Sequence, residues 1–161
     1  MVTEVVLKTA NMKAGSWGDP IWIAELQRGE SKGQIHSPSL ATHMRLLPEA
    51  LLEALKYAKE HWPDDVVLVH CRNEYVVLGM VAWRFNWASN GWLKADGSPL
   101  EHQDLWPQLH DLAKDLTVLF ADAHLYKNRA TTSRSSTVAK HFNQHDALLR
   151  KLELGPYSPL F

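Results

Sequence analysis

Four groupings of side chains in this sequence could do chemistry. His141 and His145 stand four residues apart, about one helical turn, with Asp146 beside the second. That spacing can offer two imidazoles to Zn²⁺. No H-E-x-x-H motif surrounds them, so a surface pair on an amphipathic helix is the expectation. His70 and Cys71 adjoin in the apolar run VVLVHC. Neighbours on a strand face opposite ways and cannot share a metal; Cys71 reads as a small buried apolar residue rather than a nucleophile. Lys127, Arg129, Arg134 and Lys140 lie in or beside a Ser/Thr-rich stretch, which suits either phosphate contact or a solvated loop. Seven tryptophans, at 17, 22, 62, 83, 87, 92 and 106, could stack on bases or fill a core. His43, His61, His102 and His110 are scattered and read as surface.

Composition narrows the classes. The chain has 161 residues, with 17 Lys+Arg against 18 Asp+Glu and a net charge of −1. At roughly 150 residues per domain this is one domain, 1–161, with a core over 3–154 and a short tail over 155–161. Neutrality argues against a protein held on nucleic acid by bulk charge. A single cysteine excludes a disulfide framework and a zinc ribbon. No long apolar run marks a membrane span or signal peptide, so a soluble intracellular protein, cytoplasmic or nuclear, is expected.

Elements must position these groups. Short apolar runs at 3–9, 21–26 and 34–36 read as three antiparallel strands separated by turns over Asn11–Pro20 and Gly29–Gly33. Leu47, Leu51, Leu55 and Ala58 recur at helical spacing, predicting a helix over 47–61 with Pro48 in its first turn. VVLVH at 66–70 is a buried strand. Helices follow over 74–87 and 104–114, then a strand over 117–121 and a polar loop over 126–137. A last helix over 141–154 ends at Gly155, Pro156 and Pro159. The order is a mixed α/β sheet flanked by helices.

These motifs in this order resemble the type 1 ribonuclease H family. The stretch WRFNWASNGWLKADGSPLEHQDLW at 83–106 is similar to that family's helix and handle, with its W-x-x-N-W, N-G-W, D-G-x-P and D-L-W landmarks. Arg45-Leu46-Leu47 followed by Glu53-Ala54-Leu55-Lys56 resembles the helix opened by R-x-E-L. LVHCRNEYV at 68–76 resembles the L-x-T-D-S-x-Y-V strand-to-helix step. Downstream, ADAH at 121–124, KNRAT at 127–131 and NQHD at 143–146 resemble the ribonuclease H end of Pol polyproteins from endogenous retroviruses of the spuma-like L group. The resemblance implies a five-stranded mixed sheet, three antiparallel strands then two parallel, and a retroelement origin.

It also implies a chemistry to test residue by residue. Members of the family cleave phosphodiesters with two Mg²⁺ ions held by four carboxylates. At the matching positions stand Ala10, Leu47 and Arg72, with Asp146 as the one carboxylate retained and His124 at the place of the loop histidine. A methyl and an isobutyl group cannot bind a metal, and a guanidinium repels one. Glu49 and Glu74 lie two residues from the lost positions and face elsewhere. Arg72 could fill the emptied space and pair with Asp146, or point to solvent. Trp83 and Trp106 belong to the core, whereas Trp87 and Trp92 are open to either use. The handle has lost basic character, Arg84 and Lys94 being offset by Asp96, Glu101 and Asp104.

The expectation is therefore no enzyme, no cofactor and lost Mg²⁺ binding. The chain reads first as a protein-interaction or scaffolding module with an unidentified protein partner and no membrane. The alternative is a non-cleaving RNA- or DNA-binding protein, its contacts falling on Trp87, Trp92, Lys127, Arg129 and Arg134. A third reading is a divergent nuclease with a site rebuilt from Glu49, Glu74, Asp122, His124 and Asp146.

Overall fold

The computed structural model describes residues 1–14, 17–37, 45–131 and 136–154, with side chains described for these except 10–14, 17–20, 130, 131 and 136. His43, Arg134 and the tail over 155–161 lie outside the described residues, and the turn expected over Asn11–Pro20 is instead strand on both sides, because Asn11–Ala14 pair with Trp17–Pro20.

A long hairpin opens the chain. β1 (Val2–Ala14) pairs antiparallel with β2 (Trp17–Arg28), from Thr3↔Arg28 to Ala14↔Trp17. β2 pairs antiparallel with β3 (Ser31–His36). After α1 (Leu46–His61), β4 (Val66–His70) returns parallel to β1, and β5 (Thr117–Phe120) adds parallel to β4. The sheet order is β3-β2-β1-β4-β5, three antiparallel strands then two parallel ones. β4 carries apolar residues on both faces because helices cover both: Val67 and Val69 join the main core, and Leu68 joins a second cluster with Leu119, Ala121 and Leu149.

α1 lays Leu51, Ala54, Leu55 and Ala58 on the sheet, all fully buried. Pro48 sits in its first turn, where no N–H is required. At its far end the buried Asp65 carboxylate accepts hydrogen bonds from Thr3 Oγ1 (2.9 Å) and Arg28 Nε (2.7 Å). These bonds, Arg28 first, hold the Asp65 carboxyl below its ordinary range and tie β1 and β2 to the turn before β4.

The stretch expected as one helix over 74–87 is three joined pieces: α2 (Glu74–Leu78), a π-helical turn (Gly79–Trp83) and α3 (Arg84–Ser89). The inserted residue of a π turn coincides with the closest approach of α4 (Trp106–Asp115), which begins two residues later than its apolar spacing predicts. Pro107 occupies its first turn. The fully buried Trp106 lies against bare Gly79, where a Cβ would collide with its Cη2 and neighbouring ring carbons. Trp106 Nε1–H donates to Tyr75 Oη at 2.9 Å, and the Trp87 ring stands edge-on 4.9 Å away. Between α3 and α4 a loop closes through a Leu93↔Pro99 bridge. Gly91 and Trp92, both at positive φ (65° and 63°), turn the chain there.

The basic stretch expected as a loop over 126–137 is largely helical where described: a 3₁₀ turn (Ala123–Tyr126), α5 (Lys127–Thr131), then α6 (Ser136–Lys151). Val138 and Phe142, one turn apart and buried, anchor the start of α6 in the main core, and surrounding polarity hides them in the sequence. His145 is a further correction. It is no surface residue, because Phe120 N–H donates to its Nε2 at 2.9 Å and binds α6 to the end of β5. That bond fixes the proton on Nδ1, which is buried with no acceptor. Burial pushes His145 down to about 4. His110 and His102 also depart from the surface expectation: His110 is buried, and His102 Nε2 has no exposed area.

Two outcomes follow. Gly79→Ala should cost about 1–3 kcal/mol by overpacking against Trp106, read as a lowered urea midpoint with unchanged slope; an unchanged midpoint would refute the contact. His145 titrates at about 6.5 in the unfolded chain and about 4 when folded. Between those values the unfolded chain holds the extra proton, so stability is full above about pH 6.5 and falls as pH drops toward 4. The gap corresponds to about 3 kcal/mol. His145→Gln, whose Oε1 can accept from Phe120 N–H, should flatten most of that slope in urea titrations. His110 and His141, also held down by burial, supply the remainder. A variant with the wild-type slope would contradict this assignment.

Candidate functional site

Parallel pairing sends β1, β4 and β5 out at one edge of the sheet. α1 ends beside the start of β4, so it begins at that same edge. The chain segments that carry residues 10, 72 and 122 therefore leave the sheet toward that edge, where Arg72 and Asp122 meet at 3.8 Å. The His145 bond brings Asp146 level with the last residue of β5. The strand order at this edge is the one the resemblance implies.

Ala10 pairs through its backbone with Ile21 and as an alanine carries no ligand atom. Leu47 is partly buried against the core. Arg72 follows β4 in the short link Cys71-Arg72-Asn73, which Asn73 ends by accepting from Val76 N–H at 3.0 Å to cap α2. Neighbours in that link diverge. Cys71 is buried and its thiol is pushed up to about 11 by desolvation, which suits the inert role expected of it. Arg72 is 80% exposed, with Nε 3.8 Å from Asp122 Oδ1.

The pairing of Arg72 with Asp146 is not formed. Asp146, its side chain 12% exposed, pairs instead with Arg150 Nη2 at 3.0 Å. The i,i+4 spacing of those two residues was the available signal. The groups proposed for a rebuilt nuclease are engaged locally: Glu49 with Arg45 (3.3 Å), Glu74 with Arg129 (3.0 Å), Asp122 with Arg72, and His124 Nδ1 with Ala121 O (3.2 Å). Among the described residues no group of three or more His, Cys, Asp or Glu is arranged to hold a metal ion. The donor set at this edge does not fit a Mg²⁺ pair.

The expected nucleic-acid contacts are distributed around this edge and the handle. Arg129 on α5 is 69% exposed and bonded to Glu74; Lys127 opens the same helix. Trp87 leans on Trp106 and Tyr75, and Trp92 stands edge-on to His110 at 5.4 Å. Both keep part of their surface open. Arg84, expected to be balanced by handle acids, instead donates Nε–H to Met80 O (2.7 Å) and Nη1–H to His110 Nδ1 (2.7 Å). Its place on the apolar face shared with Met80 and Val81 was the sequence signal. Among the described residues no helix is long and apolar enough to cross a membrane.

No model of a protein family matches the chain. Curated relatives do. Ribonuclease H of Rickettsia felis is 31% identical over 121 residues, spanning 74% of this chain and 78% of that protein. Ribonuclease H of Thermosynechococcus vestitus is 28% identical over 134 residues, spanning 83% and 82%. Among solved structures, the PFV RNase H domain superposes with a TM-score of 0.54 at 16% identity, covering 93% of this chain and 92% of that one. The foamy viral protease-reverse transcriptase in complex with RNA/DNA hybrid superposes at 0.55 and 18% identity, over 97% of this chain and 20% of that much longer one. With this sheet order, this sheet edge and relatives of this identity across three quarters of its length, the chain belongs to the ribonuclease H family.

Proposed function

We propose that this chain is a non-cleaving nucleic-acid-binding member of the family, holding the phosphate backbone of an RNA·DNA hybrid with Arg72 in place of metal ions. The observation that carries this reading is the exposure of Arg72 at the C-terminal end of β4, only loosely neutralised by Asp122 at 3.8 Å. A guanidinium offers two parallel N–H donors to phosphate oxygens and stays protonated at any working pH. It neutralises the backbone charge and generates no hydroxide. Lys127, Arg129 and Arg134 extend the phosphate contact, and Trp87 and Trp92 supply the partly open rings on the handle side. Support comes from the folds it resembles, since the foamy viral enzyme was solved with an RNA/DNA hybrid and with dsDNA. The spuma-like motifs and that same fold likeness support a retroelement origin. A hybrid ligand agrees with a place inside the cell, in cytoplasm or nucleus.

The net charge of −1 favours a second reading, a protein-interaction or scaffolding module. One titration separates them. In fluorescence anisotropy a labelled RNA·DNA hybrid should bind at low salt and remain intact in Mg²⁺ or Mn²⁺. Arg72→Ala should weaken binding about 5- to 10-fold and reduce the salt slope by about one. Absent or salt-independent binding would leave the scaffolding module, and metal-dependent cleavage lost in Asp146→Asn would establish a nuclease.

A further inference from the structure

Arg84 has an unusual position for a cation. Its guanidinium is largely buried, stacked 4.1 Å over the Phe85 ring, and no carboxylate pairs with it among the described residues. Nε and Nη1 are engaged by Met80 O and His110 Nδ1. Because His110 accepts through Nδ1, it is neutral there and brings no counter-charge. Nη2 has no acceptor for its two N–H groups among the described residues. Burial without a counter-ion lowers the guanidinium to about 10. A desolvated charge of this kind is costly unless an anion accompanies it.

Arg84 lines a pocket of about 280 Å³ between the π turn, the edge strand β5 and α6. Its other polar walls are Thr117, His141, Gln144 and His145, and no Asp or Glu lines it. The His141 ring lies flat on Phe85, 3.7 Å away and 8° from parallel. His145 carries its proton on Nδ1, buried and without an acceptor. Apolar groups such as Met80 and Leu148 complete the walls. The nearest acids are occupied or remote from it: Asp146 pairs with Arg150, and Asp111 with Lys114.

We propose that this pocket binds a small carboxylate with an apolar body, its carboxyl group on Arg84 Nη2 and its body against the Phe85–His141 stack. A forked guanidinium matches a planar carboxylate. Apolar walls with a few converging donors are the usual make-up of a small-molecule site, here of fragment size. The carboxylate could be a free organic acid or the C-terminus of a peptide. These residues are distinct from Arg72, so this site stands or falls separately from hybrid binding.

Benzoate is the probe, with benzamide as its uncharged isostere. Titration followed by NMR should give saturable shifts at Arg84 Nε–H and the His141 and His145 rings with benzoate, and at least tenfold weaker binding with benzamide. Arg84→Met should abolish the benzoate shifts, and Arg72→Ala should leave them unchanged. If Arg84→Met does not fold, the exposed Gln144→Glu variant takes its place and should weaken benzoate at least fivefold. N-acetylphenylalanine, compared with its C-terminal amide, distinguishes the sources: binding tighter than benzoate points to a chain terminus, weaker binding to a free acid. Equal shifts with benzamide, inorganic phosphate binding as tightly as benzoate, no saturable shift at these residues, or undiminished binding by a folded Arg84→Met or Gln144→Glu variant would each overturn the proposal.

Discussion

The functional edge depends on one constraint, the parallel pairing of β4 with β1 on one side and β5 on the other. Parallel strands end together. Segments far apart in the chain therefore leave the sheet on one side: β1 past its β4 partners toward Ala10, β4 toward Arg72 two residues on, and β5 toward Asp122 two residues on. At the opposite rim the Thr3–Asp65–Arg28 network holds β1, β2 and the turn before β4 in register. A one-residue slip would reverse the faces of Val67, Leu68 and Val69, which are buried on both sides. The geometry of the edge is thus secured by the core and not by the residues that stand at it. That independence lets an alanine, a leucine and an arginine stand at positions 10, 47 and 72 without cost to the fold.

The tryptophans tell a parallel story. Trp106 is the hub where α2, the π turn and α4 meet, with Gly79 making room for its ring and Tyr75 taking its N–H. Trp87 extends this cluster toward the surface, and Trp92 extends the handle onto His110. Large rings at the base of the handle fix its position even though the handle itself is acidic. Arg45 reinforces this by gripping Asp104 and Glu49 together at the start of α1.

Much of this was legible in the residues. VVLVH could only be a strand covered on both faces, the leucine and alanine spacing of α1 could only be a helix on a sheet, and the 83–106 motifs named the handle. That Ala10, Leu47 and Arg72 offer no metal ligand is plain from residue type alone. Partner choice was less legible. Arg72 and Asp146 carry opposite charges, yet each has a nearer partner, Asp122 at a loose 3.8 Å for Arg72 and Arg150 at 3.0 Å for Asp146. His145, His110 and Arg84 look like surface residues because their types usually are. Only the packing of α6 on β5 and of the π turn on α4 shows them covered. Such facts depend on side-chain direction after assembly, which periodicity does not encode.

Among the described residues the ribonuclease H sheet stands without a group of side chains arranged to hold a metal ion. Isothermal titration of Mg²⁺ tests this most directly, comparing the chain with its Ala10→Asp/Leu47→Glu/Arg72→Asp variant. The unmodified chain should give no saturable heat, and the triple variant, with its carboxylates returned to the shared rim, should acquire a saturable site. Saturable Mg²⁺ binding by the unmodified chain would contradict the account.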